Sequence, residues 1–126
     1  ISIADMAKIA KLGVRTIVIA RPEGEEHGQP TVSDICAAAD AHGINVHQIS
    51  VTPGNITAED VQAFDVATSD NPHPVLAYCR SGARATTLGA IGTASRGQSV
   101  EVIIDTAGKA GYDLRALAPR LVTSAA

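Results

Sequence analysis

The chain has 126 residues, 45% of them hydrophobic, and a formal charge of −3. This length suits one domain spanning residues 1–126, with a core that hides roughly two thirds of the unfolded surface. The acidic balance, and aromatics limited to Phe64, Tyr78 and Tyr112, remove the positive charge and stacking platforms that nucleic-acid partners need. No apolar run has membrane-spanning length, and Cys36 and Cys79 lie in settings that suit neither a disulfide framework nor a zinc site. The expectation is a cytoplasmic protein without membrane partner, metal or cofactor. The missing initiator Met suggests a trimmed chain or part of a longer protein.

In chain order, Ser2 to Lys11 carries Ile3, Met6, Ala7, Ile9 and Ala10 at helical spacing and stops at Gly13. The β-branched run Thr16–Ala20 predicts a strand covered on both faces, ended by Arg21-Pro22. After an acidic loop, a helix is predicted from Val32, with Ser33 as its N-cap and Ile35, Cys36, Ala38 and Ala39 on its apolar face. Residues Asn45–Val51 give a second strand, and Thr57-Ala58-Glu59-Asp60 is a capping-box start for a helix with Val61, Phe64 and Ala67 inward. Pro74–Tyr78 reads as a third buried strand and Ala85–Ser95 as a helix. A further helix opens at Ser99-Val100, and Leu114–Leu121 forms a last one interrupted by Pro119, before a frayed Ser124-Ala125-Ala126 tail. Strands alternating with helices predict an α/β fold, a mostly parallel central sheet flanked by helices.

The chemistry concentrates in Cys79-Arg80-Ser81-Gly82-Ala83-Arg84, at the carboxyl end of the third strand, where open α/β sheets bind ligands. Backbone amides from Arg80 to Ala85 can curl around one centre, the helix start adds a positive end, and Gly82 permits a positive φ. That field lowers a cysteine's pKa, and Arg84 offers a planar fork for an oxyanion. Cys79 is therefore the candidate nucleophile. An inert apolar filler would leave the surrounding arginines unexplained. Cys36 is read as such a filler.

Val75-Leu76-Ala77-Tyr78-Cys79-Arg80-Ser81-Gly82-Ala83-Arg84 resembles the active loop of rhodanese-type sulfurtransferases, in which Cys is followed by Arg, any residue, Gly, any residue and Arg. Together with Val18–Glu26, Val51–Thr57 and Ala110-Gly111-Tyr112-Asp113-Leu114, it resembles the phosphatase-like domain of the beta-lactamase-hydrolase-like protein family over nearly the whole chain. That resemblance implies the fold of protein tyrosine and dual-specificity phosphatases. As partners it implies a metallo-beta-lactamase-like persulfide dioxygenase or sulfide-oxidising domain, to which such domains are fused.

Two activities follow. Tyrosine phosphatases place Arg six residues after the cysteine; here that position is Ala85, and Arg84 arrives one residue early. The stretch Val51–Thr57 also lacks a carboxylic acid for a leaving alkoxide. Both features favour a sulfurtransferase that moves sulfane sulfur from a small sulfur anion or persulfide to a thiol through a Cys79 persulfide. The alternatives are a cysteine-dependent phosphatase and a non-catalytic persulfide or anion carrier.

Rim candidates are Arg21, Asn55 and Thr86. Arg21 adds either a cation to the site or a loop salt bridge to Glu23 or Glu25. Thr86 bonds either the thiolate or the local backbone. Glu59 and Asp60, and Glu23, Glu25 and Glu26 from the other loop, either reach into the site as acids or, the favoured reading, are solvated or dipole-compensating charge, and the four histidines read as structural or solvent-facing.

Overall fold

The computed structural model describes residues 1–125. A 3-10 turn, Ile3–Asp5, is boxed by Ser2 and Asp5 and runs into α1, Met6–Lys11, which turns only Met6 and Ile9 fully inward. The strand β1, Thr16–Ile19, is buried along its length as the β-branched run predicts. Helix α2, Val32–Asp40, is capped by Thr31, whose hydroxyl accepts from the Asp34 amide at 3.1 Å; the cap lies two residues before the predicted Ser33. Its buried residues are Ile35 and Ala39, one turn apart, while Cys36 is rotated out to solvent. The expectation that Cys36 fills the core is therefore wrong.

Strand β2, Asn45–Gln48, is followed by α3, Ala58–Ser69, opened by a reciprocal Thr57–Asp60 box with bonds of 3.0 and 3.1 Å. Phe64 and Ala67 are buried as predicted, with Val61 packed beside them. Strand β3, Val75–Tyr78, leads through the cysteine loop to α4, Ala83–Ser95. After it come α5, Val100–Lys109, a 3-10 turn at Arg115–Leu117 and α6, Ala118–Ala125. Pro119 lies in the first turn of α6, where no intrahelical amide is needed, so it starts this helix rather than interrupting one. Ser124 and Ala125 continue α6 instead of fraying; Ala126 lies outside the described residues.

The three strands form a parallel sheet of order β2-β1-β3. Each is shorter than the segment predicted for it, and only β1 has a neighbour on both sides. β3 is an edge strand and half-buried rather than fully buried. Alternation along β1 sends Ile17 and Ile19 to a layer with Met6, Ile9, Ile35 and Ala39. Val18 and Ala20 go to the opposite layer with Val51, Phe64, Ala67 and Leu88. A third cluster of Ala90, Ile91, Ala94, Ile103, Ala107, Leu114 and Leu121 joins α4, α5 and α6. The small side chains of α4 let it lie between the sheet-side layer and this outer one. The chain leaves β1 for β2 and then crosses back to β3, so the carboxyl ends of β1 and β3 flank the switch point where ligands bind in open α/β sheets. No described helix is long and apolar enough to cross a membrane.

Leu88 is fully buried where α4 meets the sheet. Leu88→Ala should lower unfolding free energy by about 3 kcal/mol, read from urea titration, because the surrounding layers can close only part of the cavity. A loss below about 1 kcal/mol would contradict this packing.

Candidate active site

Cys79 follows β3 directly and is only 4% exposed. α4 begins two residues earlier than its sequence pattern suggests, with Gly82 as N-cap in the left-handed region at φ 91°. Arg84 and Ala85 therefore sit in the first helical turn, where amides have no intrahelical acceptor. These amides find the sulfur instead. The Gly82 amide lies 3.2 Å from Cys79 Sγ. Burial alone would raise the thiol's pKa; the amides of Ala85, Arg84, Gly82 and Ser81 converge on the sulfur and outweigh that penalty, holding the pKa below its ordinary value. The anion nest expected from the sequence is thus a helix start folded around a thiolate.

Arg84 is buried and reaches back across the switch point. Its Nη1 donates to Glu25 Oε2 and to the Val51 carbonyl, both at 2.7 Å, and its Nη2 donates to Glu25 Oε1 at 2.6 Å. Among the described residues these contacts engage three of the five guanidinium N–H groups, all away from the Nε–Nη2 edge. That edge carries the remaining donors, which the Cys79 sulfur shares by hydrogen bonding and which suit an oxyanion in parallel geometry. The Glu25 bond raises the pKa of Arg84 against the effect of burial, and the nearby Cys79 thiolate raises it further.

The acidic loop after β1 does more than carry solvated charge. Glu25 is held below the ordinary carboxylate range, first by its hydrogen bonds to Arg84, against desolvation, and then by the charges of Arg84 and Arg21. Arg21, 7% exposed, pairs with Glu25 at 3.2 Å and Glu26 at 3.3 Å, so the salt-bridge reading of Arg21 holds, with Glu26 as an added partner. Glu26 also meets Arg80 at 3.5 Å. Three arginines against two glutamates leave one positive charge over, which matches a single thiolate. Glu23 instead accepts from the Val32 amide at the start of α2.

A shallow cavity of about 360 Å³ opens over the loop, lined by Arg80, Ser81, Ala83, Arg84 and Thr87 on one side and Pro53, Gly54 and Ile56 on the other. Arg80 faces this entrance as expected. Asn55, bridged to Thr52, stays outside that lining. Thr86 donates from Oγ1 to the Gly82 carbonyl at 2.7 Å, so its hydroxyl serves the local backbone rather than the sulfur. Asp60 is committed to its capping box, and Glu59 lines a separate groove beside His47, whose Nε2 meets Asn71 at 2.8 Å. Sequence reasoning missed Glu25 and Tyr112. The first was detectable as a loop carboxylate at the end of β1, facing a cation-rich loop across the switch point. The second sat in a motif with no assigned task.

Residues 1–96 match the model of the family described as "Beta-lactamase hydrolase-like protein, phosphatase-like domain". Beta-lactamase hydrolase-like proteins of Agrobacterium fabrum and Xylella fastidiosa are 38% and 34% identical over 113 and 111 residues, 89% and 87% of this chain. The chain spans 26% of the length of either relative. A solved candidate phosphatase from Neisseria meningitidis superposes with a TM-score of 0.87 at 35% identity, covering 98% of this chain and 88% of that one. Another from Shewanella putrefaciens gives 0.71 at 19% identity, covering 98% and 76%, and bears on the fold alone.

The Glu25–Arg84 pair sets a pH dependence. A depressed folded-state carboxylate pKa contributes stability that is fully present above the unfolded value, about 4.3, and is lost as pH falls through the lower folded value. Glu25→Gln should therefore be less stable than wild type in urea at pH 7, and the difference should shrink steadily below about pH 4. A difference independent of pH would contradict the pairing.

Proposed function

The chain belongs to the beta-lactamase hydrolase-like protein family as its phosphatase-like domain, and on that premise we propose that it is a sulfurtransferase working through a covalent Cys79 persulfide. The observation that carries the reading is the state of the carboxylates. Glu25, beside Arg84, is held ionised, and Glu26 is bound by Arg21 and Arg80. Glu25 is therefore not poised to give a proton to a leaving group, Glu26 is occupied by its two arginine contacts, and the Thr52–Ile56 turn supplies no acid. An alkoxide needs that proton; sulfite does not.

In the first step the Cys79 thiolate attacks the outer sulfur of thiosulfate. The new S–S bond forms as the S–S bond to the sulfonate breaks, and sulfite leaves with the electron pair. The Cys79 persulfide anion then occupies the nest of amides. An acceptor thiolate attacks its terminal sulfur, takes that atom away as a persulfide anion and restores the Cys79 thiolate, so charge and electrons balance in both steps. The Nε–Nη2 edge of Arg84 holds the donor's sulfonate oxygens, and Arg80 draws the anion to the entrance. A metallo-beta-lactamase-like persulfide dioxygenase or sulfide-oxidising domain is the partner class that would consume the product.

The second reading is phosphomonoester hydrolysis, and the comparisons favour it over sulfur transfer: the matched family is phosphatase-like and the Neisseria meningitidis neighbour is named as a candidate phosphatase. The Nε–Nη2 edge of Arg84 serves a phosphoryl group as well as a sulfonate. An ionised Glu25 and a Thr52–Ile56 turn without an acid confine that reading to substrates with good leaving groups, such as aryl phosphates.

Parallel assays with thiosulfate plus cyanide and with p-nitrophenyl phosphate separate the two. Thiocyanate should form, and Cys79→Ser should abolish it, a loss of at least about a thousandfold for removal of a covalent nucleophile. Phosphate release without thiocyanate formation establishes the second reading instead.

A further inference from the structure

We propose that Tyr112 is a positioning residue for the Cys79 thiolate, acting through one peptide group of the cysteine loop. Tyr112 follows Gly111, which ends α5 with φ 94°, and its own amide returns to the Ala107 carbonyl at 2.8 Å. This turn aims the ring at the loop, where the hydroxyl donates to the Ser81 carbonyl at 3.0 Å. The same Ser81–Gly82 peptide carries the Gly82 N–H that meets Cys79 Sγ at 3.2 Å. In a trans peptide the C=O and N–H point in opposite directions, so fixing the carbonyl outward on Tyr112 fixes the N–H inward on the sulfur. A hydrogen bond on the carbonyl also polarises the peptide and strengthens its N–H as a donor.

Two further observations fit this role. A Cβ built on Gly82 would run into the Tyr112 hydroxyl, so a side chain at this left-handed position, whose backbone faces the thiolate, would have to displace the tyrosine. The far side of Gly82 is fixed as well, its carbonyl accepting from Thr86 Oγ1 at 2.7 Å. The ring of Tyr112 lines the apolar groove between α4 and α5 beside Ala107, Ala110 and Leu114. Phenylalanine therefore keeps the packing and loses only the donor.

The inference rests on Cys79 being the nucleophile, and the test separates the two claims. In the Cys36→Ser background, which leaves Cys79 as the lone thiol, iodoacetamide alkylation is followed against pH, with thermal melting of the same samples. The parent should titrate below the free-thiol value of about 8.5. Tyr112→Phe should melt with the parent, shift the alkylation midpoint upward and slow alkylation at pH 7 about threefold. A Tyr112→Phe profile that superposes on the parent overturns the positioning role while leaving Cys79 as nucleophile. A parent that titrates like a free thiol overturns both.

Discussion

The ion pair between Glu25 and Arg84 is the constraint around which the site is built. It joins the loop after β1 to the first turn of α4 across 59 residues of sequence, with two N–H···O bonds in one plane. Arginine and carboxylate match in that geometry as lysine would not. Because Arg84 is buried, losing its partner would strand an uncompensated charge, which is why the acidic loop and the cysteine loop must be placed together. The Val51 carbonyl completes the grip and brings in the segment after β2. All three strand ends thereby converge on one guanidinium, and its remaining edge is aimed rather than free to wander.

Around that fixed cation, the protein divides the stabilisation of the thiolate between charge and backbone. The surplus of one positive charge acts over the whole rim, while four amides act at the sulfur itself. The backbone share depends on the helix beginning early enough for its unpaired amides to point at Cys79, and on Gly82 holding a left-handed conformation beneath the Tyr112 hydroxyl. An ionised Glu25 cannot also be a proton donor.

Much of this was legible in the sequence because it is local. The β-branched run at Thr16, the Thr57–Asp60 box and the cysteine loop with its glycine and arginines each carry a pattern whose physical cause lies within a few residues. The parallel sheet followed from alternation of strands and helices. What failed was non-local. Glu25 looked like loop charge because its partner stands 59 positions away, and Cys36 looked like core because helical phase cannot be fixed from the five adjacent apolar positions Ile35 to Ala39. Pro119 is compatible with either a break or a start, and only the place where α6 begins, at Ala118, decided for a start. Tyr112 was given no task because a lone aromatic after a glycine has no spacing rule of its own.

The central claim, that Cys79 in its nest carries a sulfane sulfur, is tested most directly by intact-mass measurement of the protein after incubation with thiosulfate. The account predicts the added mass of a single sulfur atom, mapped to Cys79 by peptide analysis and removed by cyanide as thiocyanate. A protein that gains no sulfur under these conditions while hydrolysing an aryl phosphate through Cys79 would contradict it.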